Sequence, residues 1–158
     1  MFVYYYIHVD RPFEEVEPQL LRMLPGLRGW AEQAYRDGEH IYARIGTRKG
    51  RIAKTVEMTM SEPSRGAVES WIPVEWEATG VPGLFPRMQA DIVVAAVGPT
   101  LTQIAFRGTY SVPLGKVGEA LDRTLFHRLA EASVKSFVDR IAICLAQEPR
   151  ALAEGSVR

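Results

Sequence analysis

The stretch from Phe85 to Val112, "FPRMQADIVVAAVGPTLTQIAFRGTYSV", decides the fold. Met88, Ala90, Ile92 and Val94 alternate with Arg87, Gln89 and Asp91, and Ile104, Phe106, Gly108 and Tyr110 alternate with Arg107 and Thr109. Period two is the mark of a strand buried on one face. The connection "VGPT" is too short for a crossover helix, so the two strands are antiparallel. Folding about it sets Asp91 opposite Arg107 on the outer face, an opposite-charge pair that specifies the register.

The β pattern continues upstream in "HIYARIG", "RIAKTVEMTM" and "GAVESWIPVEWEATG", joined by turns such as "GTRKG" and "EPSR". Val68, Ser70, Ile72, Val74 and Trp76 share one face, with Glu75 and Glu77 on the other. The aromatic and β-branched run "FVYYYIHV" is a first strand. Pro12, Glu14 and Glu15 then suit the start of a helix, whose stripe is Val16, Leu20 and Leu24. Pro18 is expected to kink it and "LPG" to end it, leaving a second short helix marked by Leu27, Trp30 and Ala34. From Pro113 to Glu148 good helix formers run without an internal breaker, one long terminal helix. It carries two apolar stripes, one of Leu121, Leu125, Arg128 and Ala132, the other of Val134, Phe137, Val138, Ile141 and Leu145. The first is taken as the face on the sheet. The second needs cover, from the two short helices or from a partner.

With 158 residues the chain suits one domain, residues 1–148, with a loosely held tail at 149–158. Nineteen basic residues balance nineteen acidic ones, which argues against nucleic acid or an anionic membrane as partner. No apolar run reaches the roughly 20 residues of a membrane span. The single cysteine, Cys144, allows no internal disulfide, and a cytoplasmic location is expected. His8 and His40 have no ligand-spaced Asp, Glu or Cys nearby, so neither a metal nor another cofactor is expected.

This order of elements, with "HVDRPFEEV", "VEWEATGVPGLFPRMQADIVV" and "GTYSVPLGKVGEALDRTLFHRLAEASVKSFVDRIA", resembles the START-like helix-grip (SRPBCC) superfamily, in its polyketide cyclase/dehydrase and lipid-transport branch. The resemblance spans about residues 2–147. It implies an α+β helix-grip fold: a curved antiparallel sheet of six to seven strands wrapped around the long C-terminal helix, with two short helices after the first strand. It also implies a cavity between the sheet and that helix. Placed on the alternation, its wall is Val56, Met58, Met60, Ser70, Ile72, Val74, Trp76, Met88, Ile92, Ile104, Phe106 and Tyr110, with Leu121 and Leu125 from the helix. Such walls are mostly apolar with a few orienting polar groups; Lys54, Ser70, Tyr110 and Arg128 are the candidate anchors, and Val81, Leu84 and Phe85 the rim.

The expected function is the binding, with or without carriage, of a small hydrophobic or amphipathic molecule such as a lipid, isoprenoid or polyketide-like aromatic. The alternatives are a polyketide cyclase/dehydratase acting in the same cavity and an interaction module or chaperone using the second helix stripe. His127 and Glu131, at i and i+4, suit an imidazole oriented by a carboxylate. Their helical angle puts them away from the face taken as inner, so a structural hydrogen bond is the expectation. Glu75 and Glu77 share a face as glycosidase carboxylates do, yet it is the outer one.

Overall fold

The structure, a computed structural model, describes residues 1–45, 55–79, 87–111 and 123–147. Strands β1 (Phe2–Val9), β2 (Thr55–Met60), β3 (Ser64–Arg65), β4 (Glu69–Thr79), β5 (Arg87–Gly98) and β6 (Leu101–Ser111) form one antiparallel sheet. Its order is β1-β6-β5-β4-β2, with the short β3 on β4. Helices α1 (Phe13–Ile45) and α2 (Arg123–Ala146) both cover one face. Asp91 does face Arg107 in the β5–β6 register, and the Arg107 guanidinium lies 4.0 Å from the centre of the Trp71 ring.

The inward alternation of β4, β5 and β6 holds from Ser70 to Trp76, Met88 to Val94 and Ile104 to Tyr110, all of it buried. Val68 departs from it, being exposed and ahead of the strand, with its carbonyl accepting from Ala96 N–H. Gly108 is required by close approach: a Cβ there would stand 2.5 Å from Ala90 Cβ.

Two expectations about helices are corrected. Residues 13–45 form a single helix that runs through Pro18 and Pro25 and takes in the backbone of His40–Ile45, read from sequence as a strand. Phe13, Val16, Leu20, Leu27, Ala31 and Ala34 make one buried stripe along it, continuous across Pro25. Packing of that stripe against α2 and the sheet overrides the local breakers. Gly26 and Gly29 sit where an added Cβ would meet nothing, so neither ends the helix for a steric reason.

The second correction is to the face of α2. Val134, Phe137, Val138, Ile141 and Leu145 are fully buried, whereas Arg128 is exposed. The stripe read as needing outside cover is the inner one, shared between sheet and α1, and an interaction module built on it has no surface to use.

The helix end is closed from the other end of the chain. Arg11 donates to the carbonyls of Leu145 (2.8 Å) and Gln147 (3.2 Å), and Gln19 donates to those of Cys144 (3.0 Å) and Gln147 (3.3 Å). These are carbonyls that a helix C-terminus leaves without intrahelical partners. Tyr5 donates to Asp139 at 2.7 Å, where Lys135 also donates at 2.6 Å, tying β1 to the middle of α2.

Candidate functional site

The strand registers line up a cross-strand row on the concave face. Met58 pairs with Trp76, Trp76 with Met88, and Met88 with Tyr110, one residue from each of β2, β4, β5 and β6. All four are buried. Methionine thioethers and aromatic edges make a wall that repacks easily.

Tyr110 gives the row a polar end. Its hydroxyl is 2.9 Å from His127 Nδ1, with the rings stacked at 6.3 Å and 19°. His127 Nε2 is 3.2 Å from Glu131 Oε1. In the tautomer that carries its proton on Nε2, on the side of the Glu131 carboxylate, Nδ1 accepts from the Tyr110 hydroxyl. Burial, and secondarily the charge of Glu131, push the Tyr110 hydroxyl above the usual tyrosine range. It stays protonated at neutral pH. The i,i+4 pair was legible in the sequence; its contact with Tyr110 corrects the expectation that His127 turns away from the inner face.

Deeper along the face the space is filled. Trp76, Phe106 and Phe137 form a mutual edge-to-face trio with ring centres 6.3, 5.5 and 6.2 Å apart. Ala90 lies on the diagonal between Trp76 and Phe106 and faces Gly108, so two small residues stand side by side in the intervening row. Ile72, Ile92, Ile104 and Val74 are packed around this trio with no exposed surface worth the name.

Among the described residues the polar candidates do not converge. Ser70 faces inward, but it lies six positions along β4 from Trp76, about 20 Å of strand. Its hydroxyl donates to Glu17 Oε1 at 3.2 Å. Glu17 is buried on α1 and takes two bonds from Arg65, at 2.6 and 2.8 Å. Sequence reasoning passed over Glu17; the available signal was an acid inside the apolar stripe, four residues after Phe13 and three before Leu20. Arg128, on α2, is exposed. Glu75 lies on the convex face with Arg87 at 2.6 Å and Gln89 at 3.2 Å, and those hydrogen bonds hold its carboxyl below the usual range.

Lys54, Leu121 and the rim residues Val81, Leu84 and Phe85 lie outside the described residues, as do the side chains of Val56 and Leu125. Among the described residues no three His, Cys, Asp or Glu side chains gather as a metal site. An open groove of about 430 Å³ lies on the convex side, between Glu75, Gln89, Asp91 and Arg107.

No family model matches the chain, and no curated protein resembles it closely enough to count as a relative. Solved structures match it in fold. A conserved protein from Geobacillus kaustophilus overlaps it at a TM-score of 0.57 with 12% identity, over 92% of this chain and 95% of that one. A hypothetical protein from Helicobacter pylori overlaps it at 0.53 with 13% identity, over 91% and 87%. The fold is the helix grip. A Streptomyces aromatase/cyclase covers 92% of this chain and 93% of its own at a TM-score of 0.45 and 11% identity, too loose an overlap to bear on activity. Among the described residues no helix is long and apolar enough to cross a membrane.

Proposed function

We propose that the protein binds a small hydrophobic or amphipathic molecule, of the lipid, isoprenoid or polyketide-like aromatic class, at the Met58–Trp76–Met88–Tyr110 end of the concave face. The observation that carries this is the row itself: three adaptable apolar side chains ending on one buried hydroxyl. The aromatic trio fills the deeper face, so the ligand's apolar body lies against Trp76 and the two methionines and its polar group meets Tyr110. With the Tyr110 proton committed to His127, the oxygen's remaining lone pair favours a ligand group that donates, a hydroxyl rather than a ketone. Lys54, Val56, Val81, Leu84 and Phe85 belong to this proposal as further wall, anchor and rim.

Thermal shift against panels of the three ligand classes tests it. A ligand at a hundred times its Kd stabilises by about 2.7 kcal/mol, and Tyr110→Phe lowers affinity for hydroxylated ligands about tenfold while sparing their deoxy analogues. No stabilisation by any class refutes the proposal.

One observation favours a second reading, proton-transfer catalysis of the cyclase/dehydratase kind. In the Tyr110–His127–Glu131 chain the tyrosine oxygen can take a proton from substrate as its own passes to Nδ1, the imidazolium resting on Glu131. Returning that proton to a leaving hydroxyl completes a dehydration with atoms and charge balanced. Mass spectrometry of the bound molecule separates the readings: a binder returns it unchanged, an enzyme returns it lighter by one water.

A further inference from the structure

Strand β1 stands at the edge of the sheet among the described residues, and its outer face is an exposed aromatic ladder. Phe2, Tyr4 and Tyr6 are 58%, 48% and 49% exposed, and each ring meets the next, down to His8, at 5.5 to 6.4 Å between centres. Soluble proteins protect edge strands with lysine, proline or a bulge; residues 2–9 have none of these, and their register with β6 is unbroken. The free backbone groups can be assigned. Met1 and Tyr110 exchange hydrogen bonds across the β1–β6 ladder, at 2.6 and 2.8 Å. Odd residues of β1 therefore point their N–H and C=O toward β6, and Phe2, Tyr4, Tyr6 and His8 point theirs away from the sheet.

We infer that β1 pairs antiparallel with β1 of a second copy of the chain, about a two-fold axis at Tyr5. The segment "FVYYYIH" is a chemical palindrome about that residue: aromatic, β-branched, three tyrosines, β-branched, aromatic. A two-fold interface needs such self-complementarity. In this register Phe2 faces His8 and Tyr4 faces Tyr6 of the other copy, and all four carry outward backbone groups. About eight ladder hydrogen bonds then form, and no like charges are opposed. The exposed rings become cross-strand aromatic pairs, while Val3 meets Ile7 on the concave side.

A second feature falls in place at the strand's end. A groove of about 400 Å³ runs beside the Ile7–Val9 edge and is floored by Ala142, Ile143 and Ala146 of α2, with Ile143 60% exposed. The register puts Met1 of the second copy opposite Val9, so its exposed thioether enters this groove. A peptide of other sequence could add to the edge, but only a copy of this strand brings both the palindrome and the methionine.

Sedimentation equilibrium tests the pairing. The wild type runs at twice the chain mass at about 100 µM, a hundredfold above a micromolar Kd. Tyr4→Lys/Tyr6→Lys and Tyr4→Glu/Tyr6→Glu, which oppose like charges at the axis, each weaken association at least about a hundredfold. Mixed one to one they form a salt-sensitive heterodimer, since lysine then meets glutamate. Where those variants do not fold, amide exchange in the wild type decides: on concentration Tyr4, Tyr6 and His8 gain protection while Tyr5 and Ile7, already bonded to β6, do not. A wild-type monomer at 100 µM, a dimer that both double variants leave intact, or monomeric variants that stay monomeric when mixed would each overturn the pairing. So would an absence of concentration-dependent protection at the even amides.

Discussion

Truncating Phe137 to alanine separates a filled concavity from an open one. The ring is fully buried, edge-on to Trp76 at 5.5 Å and to Phe106 at 6.2 Å. Its removal leaves a void of roughly 100 Å³, which at about 24 cal/mol per Å³ costs about 2.4 kcal/mol. Loss of the ring's burial adds about 2 kcal/mol, and two aromatic pairs are broken as well. Phe137→Ala is therefore expected to cost about 4 to 5 kcal/mol, and a domain of this size loses about 2 to 4 °C of Tm per kcal/mol. Urea unfolding of the wild type, Phe137→Leu and Phe137→Ala measures it, provided the m-value stays constant. Phe137→Leu should cost about 1 to 2 kcal/mol, the void being smaller. If Phe137 bordered a pre-existing cavity, one side of the ring would have no neighbours to lose. A cost below about 1.5 kcal/mol for the alanine variant refutes the filled arrangement, and with it the placement of the ligand beyond Trp76 rather than beneath it.

Other consequences are as direct. Ser133 is 4% exposed and its hydroxyl has no hydrogen-bond partner, so Ser133→Ala should raise stability by up to about 1 kcal/mol; a loss would show that the hydroxyl is bonded in solution. Arg11→Ala strips the bonds to Leu145 and Gln147, and amide exchange over the last turn of α2 should accelerate well beyond that of its centre; equal acceleration at both places contradicts the cap. Tyr110, raised by burial and by Glu131, keeps in the folded state a proton that the unfolded chain releases near pH 10. Its contribution is thus whole below that pH and is lost as the pH climbs above it. Absorbance titration at 295 nm should show one late-ionising tyrosine that Tyr110→Phe removes, and an unchanged curve in that variant contradicts the assignment.

What could be read from sequence depended on whether a local pattern had competition. The hairpin through Met88–Val94 and Ile104–Tyr110 had none: strict alternation, a short turn and the Asp91–Arg107 pairing agreed, and the structure follows them residue for residue. In α1 the local cues of Pro18, Pro25 and two glycines were outweighed by a stripe whose partners lie on α2 and the sheet, which no local window contains. In α2 both stripes are apolar, and periodicity cannot choose between two apolar faces; Phe137 between Trp76 and Phe106 makes the choice. The site was legible in the same measure. Trp76, Met88 and Tyr110 fall on one face by alternation alone, and His127 with Glu131 by helical spacing. Their junction at the Tyr110 hydroxyl depends on where α2 crosses the sheet, and the Glu17–Ser70 bond on where α1 does.

The placement of the ligand can be tested on the methionines. Of the five, Met58 and Met88 belong to the row, Met60 sits one row away on β2, Met23 is on α1, and Met1 precedes β1. With methyl-labelled methionine, titration with lipid, isoprenoid and polycyclic aromatic panels should shift Met58 and Met88 saturably, and Tyr110→Phe should weaken that response for hydroxylated members. Shifts confined to Met1 and Met23, or none from any class, would contradict a ligand at the Trp76–Tyr110 end of the grip.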